Sequence, residues 1–129
     1  MMMDKLQLKA DLGFTHNKYH VDLALVEFEE GNVTIVYSPA LDLSGYGYSQ
    51  EEAKQSFTEA LHEFFRYTNN KNTLDKVLKD LGWVIKGSKT KPKFNPPKDS
   101  DLVSLNPLYN DIVNNKSYKV SREDIEFAY

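Results

Sequence analysis

Between residues 6 and 12 apolar side chains stand at every second position (Leu6, Leu8, Ala10, Leu12), the period of a strand with one buried face. A turn follows around His16 and Asn17. The alternation resumes at Tyr19, Val21, Leu23 and Leu25, "EEGN" at 29–32 supplies hairpin chemistry, and the β-branched run 33–37 forms the returning strand. Ser38-Pro39 interrupts that strand, because proline has no amide hydrogen to give to a ladder. A fourth strand runs from Leu41 to about Tyr46, and Gly45 and Gly47 let the chain turn towards the next element. The first third therefore predicts an antiparallel meander of about four strands.

At Ser49 the period changes. Ser49 and Glu52 stand in capping-box spacing, and Ala53, Phe57, Ala60, Leu61 and Phe64 follow on one helical face, with Lys54, Gln55, Thr58, Glu59 and His62 on the other. Such a helix has to lie on the meander, the one large apolar surface available to it. "TNNKN" at 68–72 predicts a loop, and Asn72 or Thr73 caps a short second helix with Leu74, Val77, Leu78 and Leu81 buried and Gly82 at its end. "WVIK" at 83–86 reads as a brief strand. The next stretch, "GSKTKPKFNPPKDSD", carries three prolines and predicts no regular element. Asn106-Pro107 starts another short helix with Leu108, Tyr109, Ile112 and Val113, stopped by "NNK". In the tail, "SYKV" and "IEFAY" alternate like strands while Ser121 and Asp124 have helix-capping chemistry. A strand over 125–129 is preferred, since Ile125, Phe127 and Tyr129 share one face. The fold class is α+β, an antiparallel meander with a helix on one face. It divides into an α+β domain at 1–86, a Pro/Lys-rich connector at 87–105, and a short helix with a terminal strand at 106–129.

Composition agrees with a folded chain: of 129 residues, 40% are apolar and 12% aromatic. There is no cysteine, which removes disulfides and thiolate metal or redox sites. The opening "MMMDKLQLKAD" lacks the apolar centre of a signal peptide, and the longest apolar runs are far shorter than a membrane span. The expectation is a cytoplasmic protein with no membrane contact. Net charge is only −3, but it is unevenly placed. Lys86, Lys89, Lys91, Lys93 and Lys98 follow one another without an acid, whereas Glu27, Glu29, Glu30, Glu51 and Glu52 gather elsewhere. Nucleophile motifs and phosphate loops are absent, and His16 and His20 lack the further ligands that a zinc site needs. Meander then helix is also how the ribonuclease H architecture begins. Asp22 and Glu59 are the candidates for its first two metal-binding acids, but the later acid is missing and the strand after the helices is basic, so both read more simply as solvated polar-face residues. No catalytic residue, cofactor or metal is expected. The lysine run, at Lys86, Lys89, Lys91 and Lys93, has aromatic company in Trp83 and Phe94 and is a candidate contact for nucleic acid or a protein partner, with a solvated arm as the plainer reading.

The stretch "VTIVYSPALDLSGYGYSQEEAKQSFTEALHEFF" resembles the HicB-like antitoxin family. The resemblance rests on Pro39, Leu41, Asp42, Gly47, Ser49, Glu51, Glu52, Ala53, Glu59, Ala60 and Leu61 and spans roughly residues 21–65. It implies a partial ribonuclease H fold without nuclease function, and a protein that neutralises a small basic HicA-like ribonuclease toxin by binding it. The chain departs from that family in its strand before Tyr19 and in showing no DNA-binding module in its second half. Two other readings stand beside this one. The first is a stand-alone oligomeric scaffold of the same fold with no toxin. The second is an RNA-binding protein that uses the lysine arm. An open meander leaves strand edges free to pair, and Ile125, Phe127 and Tyr129 are placed either to close an edge of their own sheet or to pair with a second subunit, which makes them the candidate interface of a homo-oligomer.

Overall fold

A computed structural model describes residues 7–13 and 16–129. The expectations for Leu6, and for Phe14 and Thr15 within the first turn, lie outside the described residues. The elements are β1 (Gln7–Leu12), β2 (Asn17–Glu30), β3 (Val33–Ser38), β4 (Leu43–Gly47), α1 (Gln50–Lys71), α2 (Leu74–Asp80), β5 (Val84–Gly87), β6 (Pro92–Asn95), α3 (Asp99–Leu105), α4 (Pro107–Asn115) and β7 (Lys119–Ala128). Every strand pair is antiparallel, in the order β4-β3-β2-β1-β6-β5, with β7 also on β2. No helix among the described residues is long and apolar enough to cross a membrane.

The sheet is organised by β2. Residues 18–22 pair with both β1 and β7, and Val26 and Glu27 pair with both β3 and β7. A strand residue has one neighbour per edge, so β7 fills one edge of β2 while β1 and β3 follow one another along the other. Both faces are used as well. Tyr19, Val21, Leu23 and Leu25 point into the main core under α1 and α2, whereas Val26 and Phe28 point into a second core under α3 and α4. The run from Leu23 to Phe28 is buried without alternation for that reason.

The resemblance-bearing unit is tightly built. Ser49 Oγ accepts the Glu52 amide at 3.1 Å, and the Glu52 carboxylate reaches back to the amide of Tyr48 at 2.9 Å. Gly45 and Gly47 lie within β4, where their role is close approach and not the turn that the sequence suggested. A Cβ at Gly45 would meet the backbone nitrogen of Phe57 at 2.2 Å, so α1 rests directly on the β4 backbone.

Three expectations are corrected. Residues 68–71 belong to α1, not to a loop. Thr68 is buried and bonds back to the carbonyls of Phe64 and Phe65, and the helix ends only at Asn72, whose φ of 57° is left-handed. The buried row of α1 is Ala53, Phe57, Leu61, Phe65 and Thr68, so Phe65 takes the core position assigned to Phe64, which is half-buried. The segment 87–105, expected to be irregular, contains β6 and α3. Pro92 and Phe94 alternate inwards, and the amide-less Pro92 stands at the start of its strand. Helices therefore cover both faces of the sheet, not one.

The second core is closed by a hydrogen-bonded chain. Asn106 caps α4 by accepting the Tyr109 amide at 3.0 Å and donates to the Tyr37 hydroxyl at 2.8 Å. Tyr37 donates to Asp42 and Tyr109 to Asp99, each at 2.6 Å. Both phenols are held above the ordinary tyrosine value, first by burial and then by the carboxylate each one serves.

Three outcomes follow. Phe65→Ala should cost about 3–5 kcal/mol and Phe64→Ala clearly less, measured by urea denaturation. Gly45→Ala, which forces Cβ against helix backbone, should cost about 3 kcal/mol, whereas Gly31→Ala, a left-handed residue in open space, should cost about 1–2 kcal/mol. A proton held more tightly when folded contributes stability that is complete below the unfolded value and is lost as pH rises past it. Urea midpoints should therefore fall above about pH 10. They should fall less steeply in the Tyr37→Phe/Tyr109→Phe variant, and an equal slope in the two proteins would refute the assignment.

Candidate functional site

Where β2 ends and β3, α1 and β7 begin, a cleft of about 890 Å³ opens. Its floor is Glu27, which is only 6% exposed. Position 27 falls on the α1 side of β2, and the first helical residue, Gln50, donates to its carboxylate at 2.9 Å. The second oxygen faces Lys54 Nζ at 3.5 Å and the Ser121 hydroxyl at 3.4 Å. A buried carboxylate needs such partners to remain charged. On the rim stand Tyr48, 77% exposed, and Tyr118. Lys116 bridges to Glu30 at 3.1 Å and lies over the Phe28 ring, 5.6 Å from its centre.

Electrostatics decide what the cleft suits. The N-terminus of a 22-residue helix ordinarily favours an anion. Here Ser49 already satisfies one first-turn amide, and Glu51 and Glu52 place two carboxylates in that turn. Glu27 is already answered by Lys54, and Lys116, bridged to Glu30, and Lys119 also line the cleft, so the acid left for a cationic group is Glu29 on the wall, beside the exposed face of Tyr48 on which an arginine or lysine can rest.

The expected lysines lie elsewhere. Lys86 on β5 stands directly opposite Lys93 on β6, and Lys93 stands directly opposite Lys9 on β1. Lys89 and Lys91 occupy the loop between β5 and β6, and all five are exposed. Their supposed aromatic companions are not available for stacking. Trp83 is buried with its indole N–H on the Ala40 carbonyl at 2.8 Å, and Phe94 is buried in the main core.

Ile125, Phe127 and Tyr129 share one face, as read from the sequence, but that face packs under α1 of the same chain. The Phe65 ring lies 5.4 Å from Tyr19 and 5.3 Å from Phe127, and His62 stacks 5.2 Å from Phe127 and 5.4 Å from Tyr129. The strand that carries Ile125 and Phe127 extends back through "KVSRED" to Lys119 and ends at Ala128, just before Tyr129. His20 meets Asp124 at 2.5 Å on the opposite face of the sheet from His62. Asp22 and Glu59 are not brought together either. Asp22 lies on the face away from α1, gripped by Arg122 at 2.7 and 2.9 Å, while Glu59 is exposed on the helix. Among the described residues no three His, Asp or Glu side chains are grouped to hold a metal ion.

Sequence reasoning missed Tyr48, Tyr118 and Lys116 at the cleft and Lys9 in the lysine row. Lys9 was legible as an outward position of the first strand. Its pairing with Lys93, 84 residues on, was not. Set against family models, curated proteins and solved structures, the chain matches none of them.

Proposed function

We propose that this protein is a non-enzymatic, HicB-like antitoxin of partial ribonuclease H-like fold, which neutralises a small basic HicA-like ribonuclease in the cytoplasm by covering it. The observation that carries this reading is the cleft beside the resemblance-bearing unit, with Glu29 on its wall, the exposed Tyr48 on its rim and Glu51 and Glu52 on the adjoining first turn of α1. Inhibition by masking needs a surface held rigidly in advance, since every side chain ordered on binding subtracts from affinity. The capped helix seated on the β4 glycines supplies that rigidity. The exposed Tyr48 beside Glu29 is suited to the arginines and lysines of a basic partner, where aromatic anchors carry a large share of the binding energy. Asp22 and Glu59, set apart from one another, have no shared part in this reading.

The test starts from the reading frame adjacent to this chain's, which should encode a small basic protein. Its expression alone should arrest growth, and co-expression of this chain should restore it. Tyr48→Ala and Glu29→Lys, both at exposed cleft positions, should weaken binding of the purified pair by ten-fold or more, while their melting temperatures stay unchanged. A neighbour that is harmless or unbound points instead to a stand-alone scaffold and sinks the antitoxin reading. Metal-dependent nuclease activity abolished by Asp22→Asn would overturn the non-enzymatic one.

A further inference from the structure

The face of the sheet turned away from α1 is treated differently at its two ends. Over β2 and β3 it is buried by α3 and α4. Over β5, β6 and β1 it is bare, and its central row is Lys86, Lys93 and Lys9. Adjacent strands lie about 4.8 Å apart, so three ammonium groups are anchored within about 10 Å of one another. Like charges directly opposite one another destabilise a sheet, and this row repeats the arrangement twice. The ion pairs of the described residues involve none of these lysines, nor Lys89 and Lys91 in the adjoining loop. The next position across, His20, is itself occupied with Asp124. The acid next along β1 on this face, Asp11, stands opposite Lys18 and makes no ion pair with the row, so a ligand that brings negative charge accounts for a surface that otherwise costs stability.

We propose that this lysine-lined face docks single-stranded nucleic acid, held through its phosphates. The row repels itself unless anions sit between its members, and a flexible phosphodiester chain can place successive phosphates there and continue along Lys89 and Lys91. A duplex fits less well. The lysines lie on the broad face of a sheet, not on a helix or a two-stranded ribbon narrow enough to enter the major groove. Trp83 and Phe94 are spent in the core, and the exposed apolar neighbour on this face is Val84, so base stacking contributes little and binding is indifferent to sequence. The surface is on the other wing of the sheet from the cleft, so this inference stands whether or not the antitoxin reading does.

The test is fluorescence anisotropy with labelled oligouridylate and oligothymidylate of about 20 nucleotides, titrated with the full chain between about 50 and 200 mM salt. Both should bind alike, with log affinity falling linearly in log salt. The Lys9→Gln/Lys86→Gln/Lys93→Gln variant should bind at least ten-fold more weakly, with the magnitude of its salt slope reduced by about 2, and Lys93→Gln alone should reduce it by about 0.7. Lys71→Gln/Lys76→Gln/Lys79→Gln, on the helices, should bind like the parent. Because the row repels itself, the ladder variant should melt no lower than the parent, which separates lost binding from lost folding. Absence of binding at the lowest salt would overturn the proposal. So would unchanged affinity of the ladder variants, or tighter binding of a duplex or of polyglutamate than of the single strands.

Discussion

The structure depends on one strand having to satisfy two edges and two faces at once. β2 is 14 residues long, and its central residues have hydrogen-bonded neighbours on both sides. Buried amides and carbonyls are costly to leave unpaired, so so apolar a strand cannot stop at a hairpin. It recruits β3 from the next residues in sequence, β1 from those just before, and β7 from about 100 residues further on. Its side chains make the same demand on the two faces. Leu23 and Leu25 require α1, and Val26 and Phe28 require α4.

That demand explains why the C-terminal half is integral to the sheet. Closing a loop this long costs more entropy than closing a hairpin, but only logarithmically more. The cost is met locally by dense contacts, in the aromatic column of Tyr19, Phe65, Phe127, His62 and Tyr129 that fastens β7 to α1 and β2. On the other face Asn106 does comparable work with a single side chain, since its oxygen starts α4 while its nitrogen ties that helix to Tyr37. The segment between, which in isolation has too few apolar residues to order itself, is held because Phe94 and Pro92 complete the wall of the main core.

The same arrangement separates charge. Acids collect where β2 leaves the sheet and α1 begins, and lysines collect on the wing built from β1, β5 and β6. The two surfaces are offset across a rigid sheet, so a basic partner and a polyanion need not compete for one site.

The sequence by itself determined the local elements. The alternation through β2 and β3, the Ser49 cap, the helical stripe to Leu61 and the Asn106-Pro107 start are all short-range patterns, and each was legible because its physical cause lies within a few residues. Where the cause is distant, the sequence was silent or misleading. Asn69 reads as a loop residue until Asn17 and Tyr19 are seen donating to its side chain at 2.7 and 2.6 Å. Phe65 rather than Phe64 is fully buried because the Tyr19 and Phe127 rings receive it. Lysines that look like a solvated arm become a ladder only when β6 pairs with β1. Tertiary structure alone decided these points, because each depends on strand register between segments far apart in the chain. Register is set by the fit of whole faces, which no local pattern contains.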